Sequence, residues 1–190
     1  MPANKPRLNM FNSVSLDGYF TDAHNDMSWA HAGGDSDEFQ EFVAGNASGA
    51  STLVFGRVTY EMMASFWPTP VAAAQMPDVA AGMNRAPKYV FSRNLKKADW
   101  AKTTVLNGDP AQEIAKLKRA GGAGLTILGS GSIVKQLAAA GLIDDYQLMV
   151  CPVILGSGRT LFDGIPGRPT LKLANSRAFK NGKVFLHYTA

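Results

Sequence analysis

Leu125-Thr126-Ile127-Leu128-Gly129-Ser130-Gly131-Ser132-Ile133-Val134-Lys135-Gln136-Leu137 decides how this chain is read. Four mostly apolar residues run into Gly-Ser-Gly-Ser, and a helical apolar pattern follows at once. The order predicts a buried strand, a tight turn of small residues and a helix N-terminus. The first amides of a helix lack intrahelical acceptors and sit at the positive end of its dipole, which suits a phosphate. Gly129 and Gly131 can adopt φ > 0 and let an anion approach the backbone. Ser132 can cap the helix. A plain strand–turn–helix connection fits these residues equally well. The stretch is not the G-x-G-x-x-G dinucleotide fingerprint, because Val134 holds the third glycine position.

A second unit of the same kind lies upstream. Residues 51–55 form a short apolar strand, and Gly56-Arg57-Val58-Thr59-Tyr60-Glu61 opens a helix. Arg57 and Thr59 can donate to phosphate oxygens. Before it, residues 7–14 read as a first strand that ends in a turn at Asp17-Gly18. A polar loop then runs to about Gly34, and its Trp29 either covers a ligand or anchors the loop. Asp35 and Glu38 resemble a capping box, with Phe39, Phe42 and Val43 as the buried face of the helix that follows. Phe66-Trp67-Pro68-Thr69-Pro70 breaks the next helix, and the Ala-rich run to Met83 reads as an irregular or helical surface segment.

Downstream, residues 88–93 and 103–106 are strands. Asp109-Pro110 starts a helix in the cap-then-Pro arrangement, and Gly141 closes the helix after the opening stretch. A long strand at 145–154 leads to the loop Gly156-Ser157-Gly158-Arg159-Thr160. Two strands, 170–179 and 183–189, join through Asn181-Gly182, a strong hairpin signal. Strand–helix alternation followed by antiparallel strands predicts an α/β sheet, mainly parallel, with an antiparallel edge. Nothing in residues 1–190 suggests a linker, a repeat or a second domain.

Composition sets the outer bounds. The sequence has 190 residues, 46% of them hydrophobic, which fits one globular domain with a sizeable core. The single cysteine, Cys151, calls for no disulfide, and no Cys/His spacing suggests a metal. No signal-peptide core and no membrane-length apolar run is present, so the cytoplasm is the default expectation. The net charge of +4 is uneven: residues 1–50 hold seven acids and two bases, and the remainder is net +9. A basic larger part suits an anionic small ligand. The bases are dispersed and not interleaved with aromatics, which disfavours nucleic acid.

Five pieces in order carry a resemblance: Ser15-Leu16-Asp17-Gly18-Tyr19, Phe55-Gly56-Arg57-Val58-Thr59-Tyr60-Glu61, Val90-Phe91-Ser92-Arg93, Ile127-Leu128-Gly129-Ser130-Gly131-Ser132 and Pro152-Val153-Ile154-Leu155-Gly156-Ser157-Gly158. The chain resembles the dihydrofolate reductase-like superfamily. Within it, the chain is most similar to the reductase domain of the bacterial riboflavin-biosynthesis deaminase-reductase and its stand-alone relatives. The resemblance implies a three-layer α/β fold and NADPH as cofactor. It places the pyrophosphate on Gly56, Arg57, Thr59, Leu128, Gly129, Ser130, Gly131 and Ser132, and the adenosine 2′-phosphate on Ser92 and Arg93. Asn12 and Ser13 match the backbone that holds the nicotinamide amide, and Asp17 and Gly18 lie where the family closes its loop near the reactive ring.

The expected chemistry is hydride transfer to an electron-poor C=N or C=O carbon of a heterocycle, with one proton delivered to the heteroatom. Asp35 or Asp37 lies nearest the family's assisting carboxylate, with Asp17 a further candidate and helix capping the competing role. The loop spacing differs from folate reductases, and their Trp-x-x-Pro sequence is missing. Trp29 and Gly158 are the candidate substrate contacts, although the loop around Gly158 also reads as a β-bulged connection. The zinc deaminase signature H-x-E…P-C-x-x-C is absent from the residues. Pteridine reduction and a non-catalytic NADPH-binding module are the alternatives. The resemblance also implies a homodimer formed through sheet-edge and C-terminal strands, here an apolar hairpin from Val184 to Tyr188.

Overall fold

Leu8, Met10 and Val14 alternate with less buried neighbours along β1 (Leu8–Ser15), which gives that strand one sealed face. The computed structural model describes residues 5–31, 34, 36–47, 49 and 51–190. Beside β1 run five more parallel strands: β3 (Thr52–Gly56), β4 (Lys88–Phe91), β5 (Thr103–Leu106), β6 (Leu125–Leu128) and β7 (Asp145–Cys151). The hairpin β9 (Lys172–Ala178) and β10 (Val184–Thr189) adds the antiparallel edge, and the order is β5-β4-β3-β6-β1-β7-β10-β9. A separate pair joins β2 (Tyr19–Thr21) to β8 (Arg159–Thr160).

Helices cover both faces. Val54, Met10 and Ile127 pack with Ile114 of α5 (Pro110–Ala120) and with Ile133, Val134 and Leu137 of α6 (Gly131–Ala139). On the opposite face, Leu53, Phe55 and Val90 pack with Tyr60 of α2 (Arg57–Phe66) and with Val79 and Met83 of α4 (Pro77–Arg85). Phe39 and Phe42 of α1 (Asp37–Ala47) cover Met149, Cys151 and Phe185 on that same face. The result is the dihydrofolate reductase-like three-layer α/β fold.

The strand order reverses direction between β3 and β6. From β3 the chain steps outward to β4 and β5; from β6 it steps the other way, past β1 to β7. The helices that follow β3 and β6 therefore leave toward opposite faces. Ligands of open α/β sheets bind at such a reversal, outside the carboxyl ends of the strands.

Three local expectations are corrected. The Ala-rich run is helical and keeps an exposed face, but it also builds the core: α3 (Pro70–Gln75) and α4 bury Ala72, Val79, Ala80, Gly82 and Met83, and a Cβ on Gly82 would overlap the Ala47 carbonyl. The strand expected over 88–93 stops at Phe91, because the Ser92 hydroxyl accepts from the amides of Asn94 and Leu95 and turns the chain. The strand expected over 145–154 stops at Cys151, because Pro152 has no amide to donate.

Candidate functional site

The two strand-end corners meet. Gly56 ends β3 and Gly129 follows β6, its parallel neighbour. The Gly56 amide donates to Ser130 Oγ at 2.8 Å, and the Ser130 amide donates to Thr59 Oγ1 at 3.1 Å. The Ser130 hydroxyl in turn donates to the Leu128 carbonyl at 3.3 Å. The first turns of α2 and α6, from opposite sides of the sheet, are thus bonded to each other at the reversal.

Glycine serves different ends at these corners. Gly56 has an ordinary extended backbone, but a Cβ there would stand 3.3 Å from Ile133 Cγ1. Gly129 sits at φ +57°, and its Cβ would stand 3.1 Å from Thr59 Cγ2. The positive φ expected at Gly131 falls instead on Ser130, at +59°. The cap expected at Ser132 also belongs to Ser130, whose carbonyl accepts from the amides of Ile133 and Val134. Its hydroxyl is committed across the corner, so the first amides of α6 receive no side-chain cap. Gly131 is small for another reason: the Phe20 ring lies where its Cβ would be.

Because the strands are parallel, the other expected residues line the same edge. Phe91 lies opposite Gly56, so Ser92 and Arg93 follow directly beside the α2 corner. Arg93 is exposed. Arg57 heads α2, with its guanidinium paired to Glu61 at 2.6 Å on the surface. Asn12 and Ser13 lie near the carboxyl end of β1, where Phe11 accepts the Gly129 amide at 3.2 Å. Asn12 is buried, and among the described residues neither its side-chain oxygen nor its nitrogen has a hydrogen-bond partner. Two helix N-termini bonded to each other at the sheet reversal, with the exposed Arg93 beside them, form a set that can receive anionic groups.

Of the candidate proton donors, Asp17 is committed elsewhere. Its carboxylate accepts from the Ser15 hydroxyl at 2.6 Å and from the amides of Gly156 and Leu155 at 2.7 and 3.2 Å. The Ser15 bond, helped by the two amides, holds the group below the usual carboxylate range against a smaller opposing push from desolvation. A carboxylate held ionised in this way clips the β1–β2 turn to the loop after β7 and is a poor acid. Asp37 is exposed in the first turn of α1. Asp35 lies outside the described residues.

Trp29 stands half-buried in a short turn, Ser28–His31, against the Met149–Cys151 cluster, and its ring nitrogen donates to the Asp26 carbonyl at 3.1 Å. Gly158, at φ +153°, brings β8 so close to β2 that a Cβ would overlap the Thr21 carbonyl. That contact supports the connecting role of the loop. Sequence reasoning missed the β2–β8 pair altogether, along with the polar cleft it helps to wall. Strands of three and two residues carry no readable periodicity; the glycine of Gly158-Arg159-Thr160 was the available sign. Among the described residues, no cluster of His, Cys, Asp or Glu is placed to hold a metal, and no helix is long and apolar enough to cross a membrane.

Comparison with known proteins agrees with this fold. The model of the RibD C-terminal domain family matches residues 6–185. The uncharacterized protein YyaP of Bacillus subtilis is 27% identical over 176 residues, covering 93% of this chain and 90% of that one. A putative riboflavin biosynthesis protein from Shewanella sp. PV-4 superposes with a TM-score of 0.72 at 22% identity, covering 96% of this chain and 98% of the other. The diaminohydroxyphosphoribosylaminopyrimidine deaminase/5-amino-6-(5-phosphoribosylamino)uracil reductase of Thermotoga maritima superposes with a TM-score of 0.65 at 14% identity. It shares 97% of this chain and 56% of its own length.

Proposed function

Because the chain belongs to the RibD C-terminal domain family, we propose that it is an NADPH-dependent reductase of a heterocyclic C=N or C=O substrate. The observation that carries this reading is the Gly56–Ser130–Thr59 interlock at the β3/β6 reversal. It joins two helix N-termini into one anion cradle at the carboxyl edge of the sheet. Gly56, Thr59 and Gly129 to Ser132 would hold the diphosphate, Arg93 the 2′-phosphate, and the end of β1 the nicotinamide amide. When bound, NADPH supplies the hydride. The chain supplies orientation along the strand ends and exclusion of water. The Trp29 turn and the Asp17 clip fix the two loops that flank the end of β1.

The test follows NADPH absorbance while pteridines, aminopyrimidines with and without a phosphoribosyl group, and quinones are added. Oxidation with any one of them supports a reductase. A protein that binds no NADPH removes the reading. One observation favours a non-catalytic NADPH-binding module as the second reading: among the described candidates, Asp17 is committed to its clip and Asp37 is exposed to solvent. NADPH binding without turnover across the panel selects it. The reading includes a homodimer, because β9 is an exposed edge strand with Leu173 uncovered. Sedimentation as a monomer at micromolar concentration would exclude that part.

A further inference from the structure

A polar cleft of about 500 Å³ opens at the α6 N-terminus, and Gly56 is not part of its lining. Its walls come from two directions. Gly131, Ser132 and Lys135 belong to the first turns of α6; Phe20 comes from β2, and Arg159, Thr160 and Asp163 from β8 and the chain after it. Ser132 and Lys135 are three apart on the helix and share a face. The Phe20 ring is held between the Gly131 backbone and the Arg159 guanidinium, which stands 5.4 Å from the ring centre.

The lining chooses its tenant. Among the described residues, Arg159 makes one long hydrogen bond, 3.4 Å, to Asn25 Oδ1, which leaves most of its donor fork open there. Among the described residues, the charged partner of Lys135 is Asp163, 3.8 Å away. Asp163 is the one carboxylate in the wall, against two cationic side chains, two hydroxyls and a helix N-terminus. A cationic ligand would face both bases. An apolar ligand would find only Phe20 to rest on. A phosphate ester would meet a guanidinium fork, an ammonium and hydroxyl donors together.

We propose that Arg159 and Lys135 form a phosphate-binding clasp that closes the outer side of the α6 N-terminus. The inference rests on the reading of that N-terminus as a phosphate site and extends it to residues the reading does not use. Gly131 and Ser132 belong to both the cradle and the cleft. The phosphate held is therefore either one end of the dinucleotide's diphosphate or a phosphate on the substrate beside it.

Calorimetric titration of inorganic pyrophosphate, NADPH and ribose 5-phosphate into the native protein, Arg159→Ala, Lys135→Ala and Arg159→Lys tests this, with melting temperature checking the fold. Pyrophosphate affinity is expected to fall about tenfold in each alanine variant and to be partly kept in Arg159→Lys. If NADPH weakens in proportion, the clasp holds the cofactor's phosphate. If NADPH binding is unchanged and ribose 5-phosphate no longer binds the NADPH-saturated protein, it holds the substrate's. Changes under twofold for all three probes, in variants that melt like the native protein, overturn the clasp; so does a native protein that binds neither pyrophosphate nor ribose 5-phosphate. The cofactor reading stands or falls separately, on whether native protein binds NADPH and on its dependence on Arg93. Should Arg159→Ala fail to fold, Lys135→Ala and Arg159→Lys decide.

Discussion

Gly56 and Ser130 are 74 residues apart in the chain and bonded directly, amide to hydroxyl, at 2.8 Å. The bond spans the β3/β6 boundary, where the sheet reverses its winding. Ser130 accepts the left-handed conformation, unfavourable by roughly 1 kcal/mol for a residue with a Cβ, and is held there by bonds to Gly56, Thr59 and Leu128. Ser130→Ala keeps that strain and leaves the part-buried Gly56 amide without its acceptor. It should lose about 1–3 kcal/mol of stability. Ser130→Gly also loses the hydroxyl but relieves the backbone, and should lose less. Urea midpoints check the order; a glycine variant less stable than the alanine variant would mean the φ of +59° is not strained in this setting.

Arg93 is the residue on which cofactor choice should turn. It follows β4 on the same edge as Gly56 and is exposed. A guanidinium fork recognises a phosphate bidentately. NADPH should bind the native protein at least about tenfold tighter than NADH, a typical return for charge-assisted pairing. Arg93→Ala should erase the difference by weakening NADPH and leaving NADH where it was. Fluorescence titration of both dinucleotides reads this, and equal affinities in the native protein would count against the assignment.

Gly131 and Phe20 can be tested as a pair. A methyl at 131 would enter the space of the Phe20 ring. Gly131→Ala should cost about 1–3 kcal/mol, the usual penalty for overpacking. Phe20→Leu removes part of the ring, so the double variant should be more stable than the two single losses predict. A double-mutant cycle on urea midpoints measures the coupling. Strict additivity would show that the ring moves aside freely.

What could be read from the residues, and what could not, divides by range. Glycines and prolines at element ends, with apolar runs between them, marked the strand–helix alternation and the Asn181-Gly182 hairpin, because those signals are local. The corner at Leu128–Ser132 was legible as a corner, but Ser130 and Ser132 are chemically alike, and only the fold shows which starts the helix. Why Gly131 is glycine was hidden, since the reason is a ring 111 positions upstream in sequence. Asp17 looked like chemistry because the family resemblance puts it where a loop closes near the reactive ring; its partners Leu155 and Gly156 come from a loop that sequence spacing does not bring near.

Asp145 supplies the last test, of stability against pH. It opens β7 at the edge away from the site and binds the Arg7 guanidinium through both oxygens, at 2.7 and 2.9 Å, and His187 Nε2 at 2.9 Å. Three strands, β1, β7 and β10, are pinned there. Burial pushes the Asp145 carboxyl up, but the hydrogen bonds from Arg7 and His187 and their charges together hold it below the usual range. A carboxyl depressed by folding adds stability that is fully present above its unfolded pKa and is lost as pH falls through its folded one. The native protein should therefore lose stability on acidification below the ordinary carboxylate range. Asp145→Asn should be weaker at neutral pH by about 1–3 kcal/mol, the cost of stripping a charged partner from a part-buried pair, and should show a flatter acid limb. Urea midpoints at several pH values for both proteins make the comparison. Parallel acid limbs would assign the acid sensitivity to other carboxylates and show that folding does not depress the Asp145 carboxyl.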